Sequence, residues 1–110
     1  MTGEIQETSV APRASHHVTV ATYNTLELTA HHVYHLVTPY AGAYYYNILN
    51  LGPAAVYIRA DDDPDFDDEE SETLPAGHAD NLILVPDGPE GLRVMAHVPH
   101  ATITLRLVRG

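Results

Sequence analysis

The densest group of chemically active side chains in this sequence is an acidic stretch near its middle. Nine carboxylates lie within the twelve residues 61–72, which have the sequence DDDPDFDDEESE. Carboxylate oxygens are the ligands that calcium prefers, and an EF-hand loop presents its ligands at positions one, three, five, seven, nine and twelve. The same positions are filled here by Asp61, Asp63, Asp65, Asp67, Glu69 and Glu72.

This acidic stretch lacks the other features of an EF-hand. Its sixth position is Phe66 where the sharp turn requires glycine, Pro64 stiffens the fourth position, and Asp68 replaces the usual apolar residue at the eighth. No helical pattern flanks it. Since almost any acidic template fits a run of acids, we interpret 61–72 as a solvated, self-repelling loop. Two other roles stay open, which are weak cation binding and contact with a basic patch on a partner.

Histidine is the second residue type with metal-binding chemistry. The chain has eight histidines, and HHVYH at 31–35 contains an i, i+4 pair, His31 and His35, of the kind that binds zinc on a helix. On a strand, residues four apart are about 13 Å from each other, whereas two nitrogens bound to one ion lie within about 4 Å. The spacing of His97 and His100 identifies no partner either. The sequence therefore predicts no metal ligands and no cofactor.

No activated nucleophile is recognisable in the sequence. There is no cysteine, no Gly-x-Ser-x-Gly elbow and no glycine-rich phosphate loop. The serines Ser9, Ser15 and Ser71 lie in the polar N-terminal segment or in the acidic stretch, where no rigid frame holds a base. We therefore predict that the protein is not an enzyme and has no catalytic residues. The alternative within this class is a metal-binding, cupin-like module.

Composition and charge limit the class of protein and of partner. The chain has 110 residues, of which 45% are hydrophobic and 18% charged, and these values suit a single globular domain. Fifteen acidic against five basic residues give a formal charge of −10 at pH 7, so the protein repels phosphate backbones and anionic lipids. No run approaches the ~20 apolar residues of a membrane span, and the start lacks the apolar stretch of a signal peptide. We expect neither a nucleic-acid partner nor membrane association.

From His17 onward the sequence has the pattern of β-strands. Short segments rich in Val, Tyr, Thr, Ile and Leu are separated by Gly, Pro, Asn and Asp. Near the end of the chain, for example, Ile103, Leu105 and Leu107 fall on one face of a strand while polar residues fall on the other. The predicted strands cover residues 17–23, 32–38, 43–51, 54–60, 73–74, 81–85, 92–98 and 101–109.

These strands predict an all-β fold that consists of one sandwich domain and an N-terminal arm. Residues 16–110 are expected to form an antiparallel two-sheet β-sandwich, jelly-roll or Ig-like, of seven to eight strands. Residues 1–15 show no apolar period and include Pro12, so we expect an extended N-terminal arm. The segment 43–51 is partly apolar on both faces. Such a strand is either central in the core or half in the core and half in an interface, where tyrosine is favoured.

The strands and turns follow one another in a recognisable succession. The segments VYHLVTPYAGAYYYNILNLGPAAVYIRADDDPD, ETLPAGHADNLILVPDGPEGLRVMAH and ATITLRLV together extend from Val33 to Val108. They contain a tyrosine-rich strand ending in asparagine, a Gly turn, a VYI strand, an Asp/Pro loop and an LPAG turn. This succession resembles a group of small β-sandwich proteins that are encoded among the head genes of tailed bacteriophages. The chain departs from that group in its longer, more acidic loop 61–72 and in its many histidines.

The resemblance implies a structural virion protein that binds the outer surface of a phage capsid and stabilises it, as decoration or cement proteins do. The implied partner is the major capsid protein, and the implied state is a homo-oligomer, with a trimer favoured because it suits three-fold positions of a capsid. The acidic surface agrees with the outside of the shell, since packaged DNA would repel it. Two alternatives are another virion component (a head-tail, tail or fibre-base protein, or an adhesin-like carbohydrate binder) and the metal-binding cupin-like module.

Overall fold

The computed structural model describes residues 14–110, apart from the side chain of Asn81, and confirms the predicted all-β class. No helix in this range has the length and apolar character needed to cross a membrane. Nine strands occur in the described range: β1 (Ser15–Thr19), β2 (Tyr23–Leu28), β3 (Val33–Val37), β4 (Tyr44–Pro53), β5 (Val56–Arg59), β6 (Glu72–Leu74), β7 (Ala79–Leu84), β8 (Leu92–Ala96) and β9 (Ala101–Arg109).

The strands form two sheets around one core. Sheet A has the order β1-β3-β8-β5-β6, and sheet B has the order β2-β9-β4-β7. Alternate side chains of both sheets enter the same hydrophobic cluster, to which Leu36 and Val94 contribute from sheet A and Ile48 and Ile103 from sheet B. All four are completely buried. The fold is therefore β-sandwich-like, as the alternation of the sequence predicted.

The antiparallel strand pairs are nested within one another along the chain. β5 pairs with β6, β4 with β7, β3 with β8, and β2 with β9. The chain from β2 to β9 therefore doubles back once, at the acidic loop between β5 and β6, and its two halves pair along their length. Two further antiparallel pairs, β4 with β9 and β5 with β8, join these ladders into the sheets.

Strand β1 departs from the predicted antiparallel arrangement. It pairs in parallel with β3, with Ser15 opposite Val33 and Thr19 opposite Val37. The connection between them passes through β2 in the other sheet. Each crossing reverses the direction of the chain, so two crossings return it to sheet A in its original direction, as a parallel pair requires.

The nine strands of residues 14–110 are one or two more than the seven to eight that were predicted. The predicted strand 17–23 covers most of β1, a bend at Ala21 and Thr22, and the first residue of β2. The bend has none of the residues that usually mark a turn, which are Gly, Pro, Asn and Asp. β2 is nevertheless amphipathic, because Leu26 and Leu28 face the core and alternate with exposed residues.

The predicted N-terminal arm, 1–15, falls mainly on residues 1–13, which lie outside the described residues. Ala14 and Ser15, the last two residues of the predicted arm, are described and contact the sandwich. The carbonyl oxygen of Ala14 accepts a hydrogen bond of 2.9 Å from the Val33 N–H, and Ser15 begins β1.

Candidate functional site

The two sheets differ in what lies on their outer faces, and the acidic loop accounts for sheet A. Arg59 in β5 and Arg93 in β8 lie opposite each other and point outward. Arg59 Nε is 2.6 Å from an Asp61 carboxylate oxygen, and its Nη1 is 2.5 Å from Asp68. Arg93 Nη1 is 3.3 Å from Asp63. Two arginines therefore hold the loop over the sheet from which they project.

Apolar contacts bring the same loop farther across sheet A. Phe66 stacks on the ring of His97 with their centroids 3.8 Å apart, and His31 meets His97 edge-on at 4.8 Å. Pro64 is buried within the loop. Met95 faces outward, between the core residues of β8, yet it is 0% exposed. The loop thus closes part of the outer face of sheet A.

The electrostatics of the loop follow from these contacts. The hydrogen bond from Arg59 holds the pKa of the Asp61 carboxyl below its usual value. The pKa of Asp68 is lowered first by the backbone N–H of Glu70 and also by Arg59, whose own pKa is raised by the two carboxylates. Asp61 and Asp63, two positions of the EF-hand template, bind different arginines and do not face one ion. Most of the remaining carboxylates are exposed, as expected for a solvated loop.

The last carboxylate of the acidic stretch has a different environment. Glu72 lies in β6 at the edge of sheet A, beside Asp80 in β7 at the edge of sheet B. A hydrogen bond with Asp80, partial burial and repulsion between the two carboxylates raise the pKa of Glu72 to about 7. The two sheet edges therefore meet at a carboxylate pair in which Glu72 keeps its proton up to about neutral pH.

Replacing Glu72 with glutamine is expected to remove part of the loss of stability between pH 5 and pH 8. The pKa of Glu72 is about 7 in the folded protein against an ordinary value of 4.5. The folded state therefore binds the extra proton, and wild-type stability falls as pH rises through 7. Because the side chain is largely exposed, we expect a difference of about 1 kcal/mol in the free energy of unfolding. Urea titrations at both pH values measure it.

The control for that variant is Glu69→Gln, which removes the same charge from an exposed position in the loop. It is expected to keep the wild-type pH dependence. Equal slopes of stability against pH for the two variants would show that folding does not raise the pKa of Glu72.

Among the described residues, the outer face of sheet B carries several exposed apolar side chains. The large hydrophobic side chains that are more than half exposed include Tyr23 at 54%, Leu51 at 54%, Leu82 at 60% and Leu84 at 59%, and all four lie in sheet B. We call the following set the sheet B face: Tyr23, Tyr45, Leu49, Leu51, Leu82, Leu84 and Val108.

The sequence of β4 explains how this face arises. Tyr46 and Ile48 point into the core and are 0% exposed, while Tyr45 and Leu49 on the opposite side are half-buried. β4 is an interior strand of sheet B, between β9 and β7. The two-faced pattern of 43–51 is thus core on one side only, and its second side lies on an outer surface. Apolar residues in that position are typical of an interface.

Few charges interrupt the sheet B face. Among the described side chains that point outward from sheet B, the charged ones are Glu27 in β2 and Arg106 in β9. A shallow cavity of about 270 Å³ opens near Tyr23, Leu49 and Arg106, so the face is not flat. The sheet B face can bury apolar area against another protein. Tyrosine and arginine, which are present here as Tyr23 and Arg106, are residues that such contacts favour.

The histidines form separate pairs. His31 and His35, the i, i+4 pair, lie in different groups, because His31 packs on His97. His16 Nε2 lies 2.8 Å from His32 Nδ1 on one side of the β1–β3 ribbon. His100 is exposed near a surface cavity.

One histidine group brings three ligand-bearing side chains together: His17, His35 and Glu90. Sequence reasoning missed it because these residues meet only through the pairing of β1 with β3 and the path of the β7–β8 loop. No spacing along the chain signals such a contact.

The serines have structural roles where they are described. Ser71 accepts a hydrogen bond from the Asp65 N–H and donates one to Asp68, and both bonds lie within the acidic loop. Ser15 lies at the start of β1, and Ser9 lies outside the described residues. In the described part of the chain, no histidine hydrogen bond activates a serine.

A second shallow cavity, of about 230 Å³, opens where the β3–β4 and β7–β8 loops meet. Its titratable side chains are Tyr40 and Asp87, and the remaining lining is apolar side chains, Thr38 and glycine backbone. It offers neither a held nucleophile nor a held base. The exposed sheet B face is therefore the best-developed candidate for function among the described residues.

Comparisons with family models, with curated protein sequences and with solved structures found no match to this chain.

Proposed function

We propose that the protein is a structural virion protein that decorates and stabilises the outer surface of a phage capsid, and that the sheet B face docks on the major capsid protein. The observation that carries this proposal is the contrast between the two outer faces. Sheet A is partly covered by the chain's own acidic loop, whereas Leu82 and Leu84 on sheet B are about 60% exposed. A partner that covers the sheet B face buries apolar area that is otherwise in water.

The strand order supports a jelly roll in preference to the Ig-like alternative. Ladders nested as β5–β6, β4–β7, β3–β8 and β2–β9 give the two four-stranded orders β3-β8-β5-β6 and β2-β9-β4-β7, to which β1 is added. In an Ig-like fold, consecutive strands such as the first two are neighbours in one sheet, whereas β5 and β6 are the one consecutive pair that is adjacent among the described strands. Jelly rolls are common in viral capsid domains, and also in lectins and cupins.

The charge of the chain favours the outside of the capsid and one orientation on it. With eight of the nine carboxylates in the loop over sheet A, that side repels both packaged DNA and acidic protein surfaces. Docking through sheet B leaves those carboxylates in solvent, where their hydration is retained. Assembly as a homo-oligomer, with a trimer favoured, would place several docking faces on one capsid and raise the avidity.

Co-sedimentation with expanded capsids of the phage that encodes the chain tests the proposal. The wild-type protein is expected to sediment with the capsids, and the double variant Leu82→Asn, Leu84→Asn is expected to bind at least about tenfold more weakly. Asparagine suits position 82, because Leu82 has a positive φ of 62° that asparagine tolerates better than leucine. Circular dichroism checks that the variant stays folded.

Val98→Asn is the matched control for the double variant. Val98 is also an exposed apolar residue, at 48%, but it lies between β8 and β9 and outside the sheet B face. It is expected to bind capsids as the wild type does. A wild-type protein that neither sediments with capsids nor is detected in virions by mass spectrometry would refute the decoration role. Immunogold labelling at a single vertex or along the tail would assign it to another virion component.

A further inference from the structure

Three ligand-bearing side chains from three separate elements meet beside strand β1. His17 lies in β1, His35 lies in β3, and Glu90 lies in the loop between β7 and β8. One ligand atom from each lies within 4.8 Å of the other two. Two imidazoles and one carboxylate are a donor set that suits zinc and related divalent transition metals. The His16–His32 pair nearby has only two donors in contact among the described residues.

Backbone pairing brings the two imidazoles of this group together. His17 and His35 are register partners in β1 and β3, so both project from the same face of sheet A. Their rings are stacked, with centroids 4.6 Å apart and an interplanar angle of 8°. His35 is only 4% exposed, whereas His17 and Glu90 are exposed. The group therefore combines one fixed ligand with two that an ion can reach from solvent.

His35 and Glu90 already have the separation of two ligands on one ion. His35 Nδ1 and Glu90 Oε1 are 3.3 Å apart. Two ligands at the usual 2.0–2.1 Å from a tetrahedral zinc ion are about 3.4 Å from each other. His17 lies farther away, but its exposed side chain can complete the set by rotating about its own torsions.

The present partner of His35 indicates what an ion would replace. His35 Nδ1 lies 2.8 Å from the backbone carbonyl oxygen of Glu90. A carbonyl oxygen only accepts hydrogen bonds, so this nitrogen donates its proton to it. Zinc binding at Nδ1 therefore breaks this hydrogen bond and requires the other neutral tautomer, in which the single ring proton lies on Nε2.

We propose that His17, His35 and Glu90 form a zinc-binding site that fastens β1 to β3 and to the β7–β8 loop. β1 is the edge strand of sheet A and pairs with β3 alone in the described part of the chain. An ion that bridges three elements therefore stabilises the sheet at its least supported strand. The fourth coordination position is left to water. The site departs from the sequence-based expectation of no metal ligands, because pairing between distant segments creates it.

Isothermal titration calorimetry with zinc chloride on the untagged, chelator-treated protein at pH 7.5 tests the proposal. One ion per chain is expected to bind. The variants His17→Ala and Glu90→Gln, which change exposed side chains, are each expected to weaken binding at least about tenfold. Because zinc that binds the folded form stabilises it, zinc is expected to raise the Tm of the wild type but not of these variants. Amide hydrogen exchange in β1 is expected to slow when zinc is added.

His78→Ala is the matched control, since His78 is an exposed histidine outside the group. It is expected to bind zinc as the wild type does. The absence of binding at zinc concentrations up to about 1 mM would overturn the proposal and leave His35 and Glu90 as a simple side-chain contact. Binding that survives in His17→Ala and Glu90→Gln would overturn it as well, because other histidines would then hold the metal.

Discussion

Replacing Asn50 with alanine is expected to lower the free energy of unfolding by about 3 kcal/mol. Asn50 is 0% exposed in β4. Its Nδ2 donates hydrogen bonds of 2.9 Å to the carbonyl oxygens of Ala54 and Leu74, and its Oδ1 accepts one of 2.8 Å from the Gly52 N–H. Alanine leaves all three backbone groups buried without these partners, which costs more than the net value of the bonds themselves. Urea denaturation followed by far-UV circular dichroism measures the change.

Asn47→Ala is the matched control, because Asn47 lies in the same strand and its side chain accepts a single hydrogen bond, from the Leu82 N–H on the partly exposed side. We expect it to cost about 1 kcal/mol or less. If both variants lost the same small amount of stability, the three bonds of Asn50 would not hold the fold together.

The position of Asn50 gives a physical reason for the succession of turns on which the resemblance rests. Three features of this succession, which are Asn50, the Gly turn and the LPAG turn, meet at one corner of the fold. The Asn50 side chain bonds to Leu74, and the Asn50 carbonyl accepts a hydrogen bond of 2.7 Å from the Gly77 N–H. A Cβ on Gly52 would lie 2.9 Å from the Cβ of Ala76. This part of the pattern therefore stabilises the sandwich, and it does not by itself specify a partner.

The strands that alternate cleanly could be predicted from the sequence. Segment 101–109 coincides with β9, and its inward residues Ile103 and Leu105 are fully buried. The strong alternation arises because one face of the strand packs in the core, so the signal lies within a few neighbouring residues. The two-faced pattern of 43–51 left open a central core strand or a strand half in the core and half in an interface, and in the structure only one of its sides is in the core.

Features that depend on distant segments could not be predicted. The parallel pairing of β1 follows from a crossing through the other sheet, which no local pattern encodes. The acidic loop was expected to be solvated because its charges dominate its composition. Most of its carboxylates are exposed, but its composition did not show that Phe66, Arg59 and Arg93 hold it over sheet A. The contact of His17 with His35 depends on the register of that same parallel pair.

Charge and shape together suggest why the sheet B face is the one proposed to dock. The loop over sheet A keeps most of its carboxylates exposed, and their burial against a partner would require new cationic groups. The sheet B face has Glu27 and Arg106 as its charged neighbours, so its burial removes little hydration from ions. Of the two outer faces, that of sheet B is therefore the one that another protein can cover at the smaller electrostatic cost.

Gly91→Ala is expected to destabilise the protein by at least about 3 kcal/mol. Gly91 immediately precedes β8 and has a positive φ of 64°, a conformation that costs any other residue free energy. A Cβ there would overlap the backbone carbonyl oxygen of Leu36 and lie 2.8 Å from Val37 Cγ1. Since the carbonyl belongs to paired strand β3, it cannot rotate away. Chemical denaturation measures the loss.

Gly88→Ala separates the steric effect from the effect of φ. Gly88 lies in the same loop with a positive φ of 99°, but a Cβ there would meet no atom within 4 Å. Its substitution is therefore expected to cost only the conformational strain, about 1–2 kcal/mol. Equal losses in the two variants would show that β8 can move away from Leu36. In that case the contact between the Glu90 carbonyl and His35, which depends on this close approach, would not be fixed by the backbone either.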